Sequence, residues 1–415
     1  MLKAFTAYTE EIDDVEAAVS EILRQLPKES LTTNSVGLLT CYADFVESGV
    51  VKALCDALPF HVVGSTTLGN SVPGATGTML LTLMVLTGDG VYFAAGLTEP
   101  FFLAGKTQDD LKESFGNRNF GDTLGDEVQD NTPLGAEYRR VLAELGCRPS
   151  LMVSFAPLLV DVSGDFFVET FSAVSGGVPN FGMLSVDHNI DYHDSQIIFD
   201  GESYRDRYAF VLLAGEVHPR FFMGSISSEK IFREKGVVTA SSGNQLQTIN
   251  GKPVTEYLKE IGLTSDEEGT IIGINTFPFI VDYNDGTMPI VRAIFAQTPE
   301  GYAVCGGDIP VGAVLSVGSM NADEVVATTM ESLSDALASQ NIHCILIFSC
   351  VGRYFSLGYN PMREIDKTRD LLKGTGIPYQ FTYSGGELCP VYERERHDDS
   401  VVNRNHNNTI VICVL

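Results

Sequence analysis

The sequence predicts an α+β (mixed α/β) protein, with sheets built from strand–helix–strand units and hairpins, covered by helices and divided into two domains. Three observations carry this. A unit of apolar strand, loop, helix, second strand and glycine-containing turn occurs three times along the chain. Turn signals between apolar runs mark hairpins beside those units. The 415 residues exceed one ordinary domain, and 44% hydrophobic with 20% charged residues is ample material for cores.

The first unit opens at Val36-Gly37-Leu38-Leu39-Thr40-Cys41. A helix is expected from about Phe45 to Leu58, capped by Asp44 and stopped by Pro59, before a second strand at His61-Val62-Val63-Gly64-Ser65. The second unit runs from Leu151-Met152-Val153-Ser154-Phe155 through a helix at Phe166 to Val174, ended by Gly176-Gly177, to a strand around Phe181 to Val186. The third is the clearest. Cys344-Ile345-Leu346-Ile347-Phe348-Ser349 is apolar without alternation, as a strand covered on both faces should be. Asn360 and Pro361 then open a helix that Gly374 ends, and Tyr379 to Tyr383 is the next strand, stopped by Ser384-Gly385-Gly386.

Hairpins are expected around Gly88-Asp89-Gly90 and around Asn284-Asp285-Gly286. The polar stretch Lys230 to Gln247 lacks sustained periodicity and places the domain junction, giving domains at 1–235 and 236–415. Thr107 to Thr132, rich in Asp, Asn and Gly, reads as a long surface excursion.

A net charge of −27 excludes nucleic acid as a partner and disfavours an anionic membrane surface. Acidic residues follow Met1-Leu2-Lys3 without an apolar signal, and Met79 to Leu86 falls far short of the ~20 residues of a spanning helix. The expected location is the cytoplasm, where eight cysteines with no C-x-x-C spacing are reduced and mostly buried.

Phosphate-loop, dinucleotide, H-E-x-x-H and G-x-S-x-G signatures are absent, so no catalytic residue is assigned and a binding protein is favoured over an enzyme. A hydrolase or transferase using Ser349, Cys350 or Cys389 stays as the lesser alternative. Asp187, His188, Asp191, His193 and Asp194 cluster in one stretch, but such clusters are more often solvated turns, and no metal is assigned. No cofactor is expected by default. Heme is the alternative, with Cys389 as a thiolate ligand or His61, His218 or His406 as imidazole ligands.

At the third unit the residues resemble a known family. Ile347-Phe348-Ser349-Cys350-Val351-Gly352-Arg353, then Glu364, then Ser384-Gly385-Gly386-Glu387 are similar to the C-terminal half of the FIST domain family. Ile249 to Val254, Val291-Arg292 and Gly307 to Gly312 resemble earlier parts of that half. Val63 to Gly69, Ile198-Phe199-Asp200-Gly201 and Tyr208 to Leu212 resemble the N-terminal half, so the likeness runs from about residue 30 to the end. The resemblance implies a sensory domain for small ligands, amino acids among them. Some relatives bind heme and respond to nitric oxide, and many carry an output domain. No residues are left for one here, so a separate signalling protein is the expected partner.

Strand–helix–strand crossovers bring the ends of two parallel strands to one sheet edge, where ligands commonly bind. Arg353 follows the first strand and Glu387 the second. An arginine fork suits a carboxylate and a glutamate suits an ammonium group, so together they would fit an amino acid. Gly352, Gly385 and Gly386 would admit a ligand to the backbone, with Ser349 and Cys350 beside them. Arg292 is a second candidate. Against this stands a plain Arg353–Glu387 ion pair that pins the loop, with Arg292 a paired core arginine. Glu364, early in its helix, suits the helix dipole.

Overall fold

The computed structural model describes residues 1–100, 133–158, 163–189, 194–392 and 401–415. The architecture is mixed α+β, and its logic is a repeat. The first repeat runs β1 (Leu2–Thr9), α1 (Val15–Gln25), β2 (Ser35–Cys41), α2 (Asp44–Glu47), α3 (Val50–Asp56) and β3 (Val62–Thr66). A small hairpin, β4 (Asn70–Val72) and β5 (Ala75–Gly77), and a closing strand, β6 (Leu81–Gly88), complete it.

The second repeat has the same order. It runs β7 (Val91–Leu97), α4 (Pro133–Leu145), β8 (Leu151–Ala156), α5 (Gly164–Ser175) and β9 (Asn180–Leu184). Its hairpin is β10 (Ile197–Phe199) with β11 (Glu202–Tyr204), and β12 (Ala209–Gly215) closes it. The third repeat opens with β13 (Arg220–Gly224) and is then interrupted by an insert. The insert holds β14 (Gly236–Ser242), β15 (Gln245–Ile249), β16 (Lys252–Pro253) and α6 (Val254–Glu260). It continues with β17 (Phe279–Asp282), β18 (Ile290–Arg292), β19 (Ile294–Gln297), β20 (Ala303–Cys305) and β21 (Val314–Val317). The repeat resumes with α7 (Ala322–Leu337), β22 (Ile345–Cys350), α8 (Val351–Ser356), α9 (Arg363–Leu372) and β23 (Tyr379–Ser384). Its hairpin is β24 (Glu387–Tyr392) with β25 (Val401–His406), and β26 (Ile410–Val414) ends the chain.

Each repeat forms a sheet around one parallel pair, β2 with β3, β8 with β9, and β22 with β23. The closing and opening strands add antiparallel to the outside of the first strand of the pair, as in β1-β6-β2-β3. The hairpins, however, are exchanged. The first repeat's β4–β5 joins β23, the second's β10–β11 joins β3, and the third's β24–β25 joins β9. No repeat completes its own sheet, so the three are bound into one body.

Leu38, Val63 and Met84 of the first sheet, Val153, Phe181 and Val211 of the second, and Leu346, Phe348 and Val411 of the third meet in one shared core. The opposite face of each sheet is covered by its own helices, through Ile22 and Leu54, Tyr138 and Phe171, and Leu333 and Ile365. Strands covered on both sides explain the continuous apolar runs in the sequence. The insert packs a separate core around Phe279, Leu246 and Val317.

Several expectations are refined. Gly88-Asp89-Gly90 does not close a hairpin; it carries the chain from the first sheet to the second, with Gly88 at φ +149° and Gly90 at φ +76°. A turn signal specifies a reversal, not the partner of the strand that follows. The second expected hairpin forms as β17–β18. The helix expected at 45–58 is two helices, broken at Gly49 with φ +84°. The stretch 230–247 contributes β14 and the start of β15, and strands from both sides of residue 235 share the second and third sheets. Residues 107–132 lie outside the described residues. Among the described residues, no helix is long and apolar enough to cross a membrane.

Candidate functional site

The edge expected to form a pocket is where β22 and β23 end, and it brings Arg353 near its carboxylates. The partner of Arg353 is Glu364, not Glu387. Arg353 is 0% exposed, and its Nε donates to Glu364 Oε1 at 2.9 Å. One terminal nitrogen donates to the carbonyls of Gly224 and Ser225; the other serves the Val325 carbonyl and the hydroxyls of Thr328 and Thr329. Its N–H groups are thereby spent on partners among the described residues, leaving no fork for a ligand carboxylate. Ser349 Oγ donates to Glu364 Oε2 at 3.0 Å and Thr329 Oγ1 to Oε1 at 2.7 Å. Rather than serving only the helix dipole, Glu364 is the hub of a buried clamp joining α7, α9, β22 and α8.

Glu387 is also fully buried. Ser384 Oγ donates to one carboxyl oxygen, and the other has no hydrogen-bond partner among the described residues. Burial pushes its pKa well above the usual carboxylate range. Burial, and then Glu387, push the Cys350 thiol up as well. The glycines serve packing. A Cβ on Gly352 would lie 1.9 Å from Asn408 Oδ1, one on Gly385 would lie 3.1 Å from the Ser185 carbonyl, and Gly386 holds φ +153°.

Arg292 is likewise a paired core arginine, at 0% exposure. It donates to Asp165 at 2.6 Å, to the Asn405 carbonyl at 2.8 Å and to the Tyr283 hydroxyl. Since Asp165 begins α5, this pair fastens the insert to the second repeat. Among the described residues, Glu387 keeps one carboxyl oxygen that no nitrogen or oxygen partner reaches, with the Cys350 thiol beside the carboxylate.

An open groove with a charged lining lies elsewhere, at the seam between the first and second sheets, and another concavity lies around Tyr138, Leu142 and Arg148. The groove has a volume of about 420 Å³. His61, just before β3, and Asp200, in the β10–β11 turn, share one wall. His61 Nδ1 and Asp200 Oδ2 are 2.7 Å apart, and the other Asp200 oxygen accepts from the Val62 N–H at 2.9 Å. Asp200 stands at φ +49°, a conformation Asp tolerates and one that Gly201 follows. Because β10–β11 is an exchanged hairpin, residues of two repeats make this pair. Asp200 raises the His61 pKa above its ordinary value. Asp56 and Glu144 stand at the mouth, Val36, Phe60 and Phe93 supply apolar lining, and Cys55 is pushed up to about 12 by burial. Sequence reading had named His61 and Asp200 separately. What hid the site was the exchange, which pairs residues 139 positions apart.

For the chemistry weighed from sequence, Cys389 lies in the shared core and His406 Nε2 faces its carbonyl at 2.9 Å, so neither presents an open ligand atom. Burial lowers the His406 pKa to about 4. Of the imidazoles weighed as heme ligands, His61 is held at Nδ1 by a carboxylate, as metal-bound histidines commonly are, and His218 is exposed. Asp191 and His193 lie outside the described residues, while His188 stacks on Tyr42 and Asp194 pairs with Arg205. No group of three or more His, Cys, Asp or Glu side chains that could hold a metal ion occurs among the described residues.

Among curated proteins none matches the chain. A crystal structure of cyanuric acid hydrolase from A. caulinodans aligns over 100% of this chain and 99% of its own, at 11% identity and a TM-score of 0.36, too loose a likeness to carry an argument. The FIST N domain matches residues 35–252 and the FIST C domain residues 254–390. With both domains in sequence order and most of the chain covered, the protein belongs to the FIST family.

Proposed function

We propose that this FIST protein is a cytoplasmic sensory module that reversibly binds a small ligand in the seam groove, an amino acid being the first candidate, and signals through a separate protein. FIST domains are generally sensory domains for small ligands. The observation that carries the placement is the His61–Asp200 pair, half-exposed in a groove and contributed by two repeats. A ligand held there touches two sheets at once, so occupancy would tighten their seam, a change a partner can read. A thermal-shift screen of the twenty amino acids tests it. Saturation at 100-fold over Kd stabilises by about 2.7 kcal/mol, and the shift should vanish in His61→Ala. A flat screen, or a shift that His61→Ala leaves intact, contradicts the amino-acid reading at this groove.

Heme is a second reading, favoured by the carboxylate-held His61 imidazole. Hemin addition should then give a strong visible band that His61→Ala loses. A protein that stays without the band rules it out.

A further inference from the structure

The second concavity, around Tyr138, Leu142 and Arg148, shares no lining residue with the seam groove. We infer that it is a separate binding site for a small organic carboxylate carried on an apolar body. It measures about 690 Å³, within the range of small-molecule sites, and lies where α4 and α5 end.

Three polar groups meet there without partners. Tyr138 is 2% exposed, its ring packed edge-on against Phe171 with centroids 5.4 Å apart. Its hydroxyl nevertheless has no hydrogen-bond partner among the described residues, where a buried phenol usually finds one. Ser175 Oγ, at the end of α5, is buried and equally unpartnered among the described residues. Arg148 is exposed and joins no ion pair or hydrogen bond among the described residues, although the chain holds 54 acidic residues. Burial raises the Tyr138 pKa and the Arg148 charge lowers it, so phenol and guanidinium act on the same space.

These groups define the ligand. A carboxylate can accept from the guanidinium fork and from both hydroxyls, whereas an ammonium group would meet the Arg148 charge. The ends of α4 and α5 favour a positive charge, which Arg148 supplies, and its N–H groups remain to be met. Leu142 and the Tyr138 ring form an apolar wall that a bare inorganic anion would leave unused. Gly146 and Gly176, at φ +70° and +64°, have nothing within 4 Å of where a Cβ would lie, and they keep the mouth open.

Cys147 reports on the site, because it lines the concavity and is exposed while the other seven cysteines are buried. Full-length protein is alkylated with iodoacetamide at constant ionic strength, and labelling is read cysteine by cysteine by mass spectrometry. Sodium benzoate, benzyl alcohol, benzylammonium chloride and sodium phosphate are compared as protectants. Benzoate should slow Cys147 labelling saturably, while the other three leave it unchanged. Arg148→Gln, at an exposed position, should weaken benzoate about tenfold, the scale of one lost charged contact. Tyr138→Phe keeps the ring against Phe171 and should weaken benzoate by a smaller factor. Buried cysteines that stay unlabelled certify that each variant is folded. Absence of protection by benzoate overturns the inference, as does a benzoate affinity that Arg148→Gln leaves unchanged. Equal protection by benzyl alcohol, benzylammonium or phosphate also overturns it, since the site would then read apolar bulk or a bare ion rather than an organic carboxylate.

Discussion

The edge that holds Arg353 and the seam that holds His61 are built from the same parts, a cationic side chain beside a carboxylate near the ends of parallel strands. They differ in access. Arg353 and Glu364 are both at 0% side-chain exposure, whereas His61 and Asp200 are at 52% and 40%. A fully buried pair must satisfy every donor internally or lose the free energy of desolvation, so it becomes a fastener. A half-exposed pair keeps valences that water fills and a ligand can take over. Burial, rather than residue type, separates clamp from site.

The largest expected effect tests the clamp. Arg353→Ala should destabilise by about 3–5 kcal/mol in denaturant unfolding, because Glu364 is left buried and unpaired. Adding Glu364→Leu to Arg353→Met should recover most of that loss. A cost under about 1 kcal/mol for Arg353→Ala would show that the edge is not a fastener. Arg292→Met should fall toward the lower end of the same range, with its Asp165 partner left in place. Since the insert has its own core, hydrogen exchange should quicken in residues 236–317 and stay slow in the three-sheet body. Uniform acceleration would mean that the two cores unfold as one.

The pH dependence comes next. Glu387 has a folded pKa raised above its unfolded value near 4.3, so its contribution is full below that value and is lost as pH rises through the folded pKa. Glu387→Gln should therefore flatten the stability profile on the alkaline side. An unchanged profile would mean that the carboxyl is charged and paired at neutral pH. The smallest effect belongs to His61. Its pKa is raised by Asp200, so the pair's stabilisation is full below about pH 6.5 and fades as pH rises through the folded value. For an exposed pair this is worth about 0–1 kcal/mol, and Asp200→Asn should lower the imidazole pKa read by NMR.

Much of this was legible in the sequence. The three-fold strand–helix–strand pattern was readable because buried parallel strands leave apolar runs and glycines end their helices, as Gly176 does in the left-handed region after α5. Arg353 and Glu387 do follow the parallel pair β22 and β23, but Arg353 lies inside α8 and Glu387 opens β24, where a loop and a turn were expected. The Arg353–Glu364 pair was missed because α8, only six residues long, sits between strand and helix and turns the arginine inward. The hairpin exchange was illegible for a different reason. Local sequence marks where a hairpin turns but not which sheet edge it joins, and Ile198 pairs with Gly64 only through the tertiary fold. His61 and Asp200 thus carried no shared signal.

The central claim, that the ligand sits at the seam and not at the Arg353 edge, is tested by calorimetric titration of one stabilising amino acid into two variants. His61→Ala should abolish binding while Glu387→Gln binds as the unmodified protein does. Binding lost in Glu387→Gln and retained in His61→Ala would contradict the account and return the site to the edge of the third sheet.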